Sequence, residues 1–192
     1  MTITARDSSG HAAHKVGRVV VPRERIADRV GELGREITAD YHGRDMTILA
    51  VMNGAVVFLA DLIRRLALPM RLETTTARSY RGRSLTPGGL SVADLQAEAF
   101  AGRHVLVVDD ILDTGQTLHA MLDQLAGFAP ASLAVCVLLR KQRPSRPRAV
   151  DVRYVGFDIA DEFVVGYGLD HDDLHRNLPD LCLLHPDPEG QP

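Results

Sequence analysis

The chain has 192 residues, 45% of them hydrophobic, and a formal net charge of −3; that length and apolar fraction suit one domain with a sizeable core. So mild a charge argues against a basic nucleic-acid surface and against a polybasic membrane anchor. No apolar run reaches the length of a membrane span, and the start MTITARDSSGHAAHK lacks the apolar core of a signal peptide, so the cytoplasm is the expected compartment.

Residues 1–15 are small and polar and read as a loosely attached tail, with His11 and His14 solvated rather than ligating. Arg18 to Val21 predicts a short strand, and Pro22 suits the first position of a helix. Within that helix Ile26, Val30, Leu33 and Ile37 recur at helical spacing and give one apolar face. Met46 to Met52 predicts a buried strand. Asn53-Gly54 then leads into a helical pattern of Val57, Leu59, Ala60, Leu62, Ile63 and Leu66, and Gly54 at the junction lets the backbone turn or approach a ligand. Pro69 to Ala77 alternates at Leu72, Thr74 and Thr76, as a strand does, and runs into Arg78-Ser79-Tyr80. The following stretch to Arg103 is rich in glycine and has little periodicity. Irregular chain of that length in a compact domain is more often an active-site lid than a connector.

Val105 to Leu118, VLVVDDILDTGQTL, is the stretch the rest of the chain serves. Four apolar residues predict a strand buried on both faces that stops at Asp109 and Asp110. Asp113-Thr114-Gly115-Gln116-Thr117 forms a small polar loop, and Leu118, Met121, Leu122 and Leu125 continue at helical spacing. A Thr-Gly-Thr loop opening a helix offers backbone N–H groups, two hydroxyls and the positive end of a helix dipole, which suit a phosphate monoester. Carboxylates would repel that phosphate. Paired at a strand end, they can instead accept hydrogen bonds from the two hydroxyls of a ribose, directly or through a divalent cation. Phosphate on one side and diol on the other describe a ribose 5-phosphate.

Further strands are predicted at Ser132 to Leu139, Val152 to Phe157 and Leu181 to Leu184, with residues 186–192 as a tail. Cys136 and Cys182 lie inside apolar runs and read as small buried residues without metal spacing. The basic stretch RKQRPSRPR after the third-last strand is of the solvated or nucleic-acid-facing type. Strands alternating with amphipathic helices predict an α/β fold with a mainly parallel twisted sheet flanked by helices, formed by a single domain over 16–185.

VLVVDDILDTGQTL resembles the phosphoribosyl-pyrophosphate (PRPP) signature of type I phosphoribosyltransferases. VMNGAVVFLADLIRRL and IADEFVVGYGLDHDDLHRN resemble the corresponding segments of the members that use hypoxanthine and guanine. The resemblance spans Val16 to Leu184. It implies a small hood built from both terminal portions, a homodimer or homotetramer, Mg2+ as cofactor, and transfer of a ribosyl phosphate from PRPP to hypoxanthine or guanine.

Residue by residue, the resemblance implies Asp113 as the acid/base group at purine N7. Asp109 and Asp110 would hold the ribose hydroxyls, and Thr114, Gly115, Gln116 and Thr117 the 5′-phosphate. Asn53 and Gly54, with Arg78 and Arg176, would face pyrophosphate. Many relatives have a Lys or Arg where this chain has Asn53, so backbone N–H groups must serve there. Ser79 and Tyr80 start the lid. Lys141, just after its strand, would donate to the purine 6-oxo group, with Phe163 stacking on the base and Val164 and Leu169 beside it. Asp170 would approach Mg2+ directly or through water, as would Asp109 and Asp110. Three alternatives stay open. One is a xanthine-preferring enzyme. Another is an RNA-binding regulator on the same fold, supported by the basic run at 140–148. The last is a phosphoacceptor receiver domain, which needs its acids on separate strand ends.

Overall fold

The computed structural model describes residues 15–79, 90–92, 95–143 and 150–185. The tails predicted over 1–15 and 186–192 therefore lie outside the described residues except for Lys15. Nine strands and three α-helices are described: β1 (Lys15–Val21), α1 (Arg23–Asp40), β2 (Met46–Met52), α2 (Val56–Ile63), β3 (Met70–Ser79), β4 (Leu90–Val92), β5 (His104–Leu112), α3 (Gln116–Ala126), β6 (Ser132–Lys141), β7 (Tyr154–Ile159), β8 (Val164–Val165) and β9 (Leu181–His185). The main sheet runs β4-β3-β2-β5-β6-β7, and every pair in it is parallel except the antiparallel β3–β4 edge.

Strand periodicity explains how the sheet is covered on both sides, since successive side chains point to opposite faces. Ile48 and Ala50 of β2, with Leu106 and Val108 of β5, meet Ile26, Val30, Leu33 and Ile37 of α1 and Phe58 and Leu62 of α2. Leu49 and Val51, with Val105 and Val107, face the other way onto Leu118, Met121 and Leu125 of α3 and onto Phe100. Pro22 caps α1 from an extended conformation just outside the helix. α2 stops at Ile63, and Leu66 packs against the core from the turn that follows. At the β7 edge, Arg29 of α1 donates to the carbonyls of Val155 and Gly156 at 2.8 and 3.2 Å, using backbone acceptors that an edge strand leaves open.

A second, three-stranded sheet of order β1-β9-β8 forms the expected hood from both ends of the chain. Its strands pair antiparallel, with Lys15 opposite His185 and Val164 opposite Leu183. Among the described residues no helix is long and apolar enough to cross a membrane.

Several boundaries differ from the sequence expectation. The central strand does not stop at the two acids. Pairing of β5 with β2 ends at Val108 opposite Ala50, but pairing with β6 continues to Leu112 opposite Arg140. The acids thus sit on a strand still held on one side and released on the other. For the same reason Lys141 is the last residue of β6, opposite Ile159, and not a loop residue beyond it. β7 starts at Tyr154, while Val152 packs on the α3 side of the core. The predicted irregular stretch contains ordered pieces: β4 returns along β3, with Ser79 opposite Leu90, and a 3₁₀ turn covers Ala97–Ala99.

Candidate active site

Between β2 and β5 the strand order reverses. The chain leaves β2 for β3 on one side, and β5 lies on the other. Crevices at such switch points, beyond the carboxyl ends of the strands, are where open α/β sheets bind ligands. Here the crevice is a cleft of about 590 Å3 lined by Met52, Gly54 and the whole run Asp109 to Leu118. Asp109, Asp110, Asp113, Thr114, Gly115, Gln116, Thr117 and Gly54 are thereby brought together as the motif suggested.

The loop is shaped for an anion. Gly115, at φ 81°, caps α3 in the left-handed region that glycine adopts without strain. Gly115 has no side chain with which to cap the helix, and the N–H groups of the first turn find no acceptor within the helix itself. The Gln116 N–H lies 3.5 Å from the Thr114 hydroxyl.

Asp109 is only 7% exposed, and its Oδ1 accepts the Asp110 N–H at 2.9 Å. Burial first, and the adjacent Asp110 carboxylate second, hold Asp109 well above the usual carboxylate range. Burial also raises Asp110, while hydrogen bonds from its surroundings and the Arg176 guanidinium pull it back. An alanine Cβ at Gly54 would fall 1.8 Å from Asp110 Oδ2, and one at Gly168 would fall 2.4 Å from the Gly54 carbonyl. Gly54 therefore lies directly against the Asp110 side chain on one side and the Gly168 backbone on the other. Asn53 is exposed, its carbonyl accepts the Val56 N–H at 3.1 Å, and the Met52–Asn53 peptide is cis.

Of the residues expected beside the base, Lys141 is 6% exposed. Its Nζ lies 3.6 Å from Asp113 Oδ2, 3.4 Å from Asp161 Oδ1 and 5.2 Å from the Phe163 ring centroid. Phe163 is 67% exposed, free to receive a flat ligand on its open face, and it meets the His171 ring edge-on at 6.0 Å. Val164 sits in β8, and the Leu169 side chain is buried in the main core. Arg143, which sequence reasoning missed, joins Asp113 and Asp161 through one nitrogen at 2.7 and 2.9 Å. Its only sequence signal was its position two residues beyond Lys141, on the same side of an extended segment. Arg140, at the start of the same basic run, is paired with Asp158 at 2.6 Å. Two cations that supported an RNA surface are thus committed to carboxylates.

Arg176 is not in the main cleft. It lines a neighbouring cavity of about 500 Å3 with Arg23, Asp61 and Tyr167. Its guanidinium contacts Asp170 Oδ1 and donates to the Gly168 carbonyl, both at 2.9 Å. Nothing is described of the side chains of Arg78 and Ser79, and Tyr80 lies outside the described residues.

Among the described residues no three His, Cys, Asp or Glu side chains form a metal cage. Asp109 and Asp110 nevertheless offer hard oxygen donors whose ionised form burial disfavours until a cation compensates it. That donor set fits Mg2+, which takes one or two carboxylates and fills its shell with water and substrate oxygens.

A family model described as phosphoribosyl transferase domain matches residues 21–172. The chain is 40% identical to a hypoxanthine-guanine phosphoribosyltransferase of Mycobacterium avium over 88% of this chain and 85% of that one. It is 43% identical to a hypoxanthine phosphoribosyltransferase of Salmonella typhimurium over 84% and 91%. A crystal structure of a Staphylococcus aureus hypoxanthine phosphoribosyltransferase superimposes with a TM-score of 0.82 at 33% identity, covering 89% of this chain and 92% of that one. Overall fold and sequence thus agree over most of the length, and the chain belongs to the phosphoribosyltransferase family.

Proposed function

We propose that this protein is a purine-salvage phosphoribosyltransferase, joining hypoxanthine or guanine to PRPP to give IMP or GMP and pyrophosphate. The observation that carries the reading is the buried Lys141 ammonium 3.6 Å from Asp113 Oδ2. A 6-oxopurine presents an acceptor, O6, beside a donor, N7–H, on one edge; a donor-only cation beside a carboxylate is complementary to that edge.

In this reading Phe163 stacks on the base and the backbone of Val164 faces its edge, while Leu169, buried in the main core, supports that segment from behind. Thr114, Gly115, Gln116 and Thr117 hold the 5′-phosphate, a remote handle whose binding energy positions the reacting carbon. Asp109 and Asp110 accept the ribose hydroxyls. Backbone N–H groups at Asn53 and Gly54, with Arg78 and Arg176, receive pyrophosphate. Mg2+, held by Asp109, Asp110 or Asp170 together with substrate oxygens, would neutralise the departing pyrophosphate. Asp113 takes the N7 proton as N9 bonds to the ribose. The same resemblance supports a cytoplasmic homodimer or homotetramer.

The test offers PRPP and Mg2+ with hypoxanthine, guanine, xanthine, adenine and uracil in turn, reading pyrophosphate release. Turnover of hypoxanthine or guanine with refusal of adenine and uracil is expected. A preference for xanthine would move the assignment within the 6-oxopurines. Equal use of adenine would overturn it, and salt-dependent RNA binding without any turnover would favour the regulator.

A further inference from the structure

We infer that Tyr167 and Asp61 are positioning residues for pyrophosphate: the hydrogen bond between them pins the Gly166–Leu169 turn to α2 and so fixes its approach to the Asn53–Gly54 turn. The inference rests on the reading of that approach as the pyrophosphate side of the site, and it deepens that reading.

Gly166, Tyr167 and Gly168 follow one another at φ 100°, 48° and 99°. Glycine adopts that region freely, whereas Tyr167 holds a side chain there against a steric cost. A residue in such a conformation persists only where its surroundings over-determine it. The phenol supplies that constraint. Tyr167 is buried in the main core, and its hydroxyl donates to Asp61 Oδ2 at 2.6 Å. Burial, and then the bond to Asp61, push the phenol pKa well above its ordinary value, so it stays a donor throughout the working pH range. Arg64, at the end of α2, donates to the other oxygen of Asp61 and leaves Oδ2 to the phenol.

Both ends of this tie lead directly into the site. On one side α2 begins just after the Asn53–Gly54 turn, and the Asn53 carbonyl accepts the Val56 N–H at 3.1 Å. On the other side Gly168 adjoins Tyr167; a Cβ there would fall 2.4 Å from the Gly54 carbonyl. The Gly168 carbonyl also accepts from Arg176 Nη1 at 2.9 Å. Backbone bonds from the Tyr167 N–H to the Leu178 carbonyl at 2.8 Å, and from the Gly168 N–H to the Arg176 carbonyl at 3.0 Å, couple the turn to the segment that carries Arg176. Those bonds hold the turn to its own return strand. Among the described residues, the phenol–carboxylate bond is the hydrogen bond that joins it to α2. Without it the turn can drift from Gly54, and Arg176 drifts with it.

The experiment titrates wild type, Tyr167→Phe, Asp61→Ala, Asp61→Asn, the Tyr167→Phe/Asp61→Ala double variant and Tyr154→Phe with pyrophosphate in Mg2+. It also measures kcat and KM for PRPP and hypoxanthine, with each variant checked for a cooperative thermal transition. Tyr167→Phe keeps the buried ring and removes only the hydroxyl. Tyr154→Phe is the matched control. Its hydroxyl also donates to a carboxylate, Asp40 Oδ2 at 2.6 Å, but Tyr154 opens β7, at the end of the parallel sheet opposite the cleft. Tyr167→Phe and Asp61→Ala are each expected to weaken pyrophosphate binding and raise PRPP KM by about 10- to 10²-fold, the scale of a displaced binding group, with hypoxanthine KM within about twofold of wild type. The double variant should be little worse than either single one, since the two groups make one bond. Asp61→Asn, whose amide oxygen still accepts the phenol proton, should recover most of the affinity. Tyr154→Phe should lower Tm comparably and leave pyrophosphate affinity as it is. Wild-type pyrophosphate affinity in both Tyr167→Phe and Asp61→Ala, or an equal loss in Tyr154→Phe, would overturn the inference while turnover of PRPP by the wild type left the functional reading standing. Failure of the wild type to bind pyrophosphate or to use PRPP would remove both.

Discussion

Gly54→Ala isolates the contact on which the cleft depends. The added Cβ would lie 1.8 Å from Asp110 Oδ2, 2.5 Å from its Cγ and 3.0 Å from Oδ1. To reach ordinary van der Waals distance the carboxylate must retreat by roughly 1.5 Å or more, or the turn after β2 must move by as much. Neither can yield cheaply. Asp110 belongs to a strand still paired with β6, and the Gly54 carbonyl is pressed from its other side by Gly168. Overpacking of this kind costs about 1–3 kcal/mol of stability. Displacement of a substrate-holding group by about 1 Å can cost on the order of 10²-fold in rate. Calorimetric titration with PRPP and Mg2+, beside steady-state kinetics, is the assay. Affinity for PRPP and kcat should both fall at least tenfold. Gly43→Ala serves as control, because nothing lies within 4 Å of the added carbon and its positive φ, which Gly54 does not share, adds only backbone strain. It should lose a little stability and no activity. If Gly54→Ala bound PRPP and turned over within a factor of about two of wild type, close approach of the two loops would not be what places Asp110.

Asp109→Asn should stabilise the Mg2+-free protein at neutral pH. Burial raises the folded-state pKa of Asp109, so its favourable contribution is complete only below the unfolded value near 3.9 and is lost as pH rises through the folded one. A gain on the order of 1 kcal/mol would lift Tm by about 2–4 °C at pH 7 and fade toward pH 4, and a lower Tm at pH 7 would contradict it. Arg176→Ala should weaken pyrophosphate inhibition by about 10- to 10²-fold and purine KM far less, since one charged donor is lost; unchanged inhibition would show that its bonds to Asp170 and Gly168 are its whole role. Lys141→Gln should narrow the hypoxanthine-over-adenine ratio in kcat/KM, which can reach about 10⁴–10⁵ in a site built to donate to a 6-oxo group. An unchanged ratio would mean Lys141 does not read the base.

What the sequence revealed and what it hid divide along a physical line. The strand, acidic loop and helix from Val105 to Leu125 were legible because each signal is local: a β-branched run, a loop of small polar residues, then apolar residues at helical spacing. The apolar face of α1 followed from periodicity for the same reason, and β2 and β5 read as buried strands from their apolar runs. The end of β5 was not legible, because it depends on β6 continuing beside it after β2 has turned away. Arg143 and Asp161 looked like solvated charges, and only their meeting across the ends of β6 and β7 commits them to Asp113 and Lys141. The Gly54–Gly168 approach was equally invisible, since a glycine contact leaves no side-chain pattern to read.

The hood sets a temporal order on the birth of this protein. β1 is among the first described residues to leave the ribosome, yet among the described residues its strand partner is β9, at Leu181–His185. β8, which carries Val164 of the proposed base pocket, pairs with that same late strand. The parallel sheet can therefore condense on α1, α2 and α3 while the chain is still being made, with its phosphate loop formed early. The hood, and with it the proposed base pocket, closes only when the last strand arrives, because contacts so distant in sequence carry the largest loop-closure cost. A nascent chain halted before Leu181 would hold the cleft without the strand that joins β1 to β8.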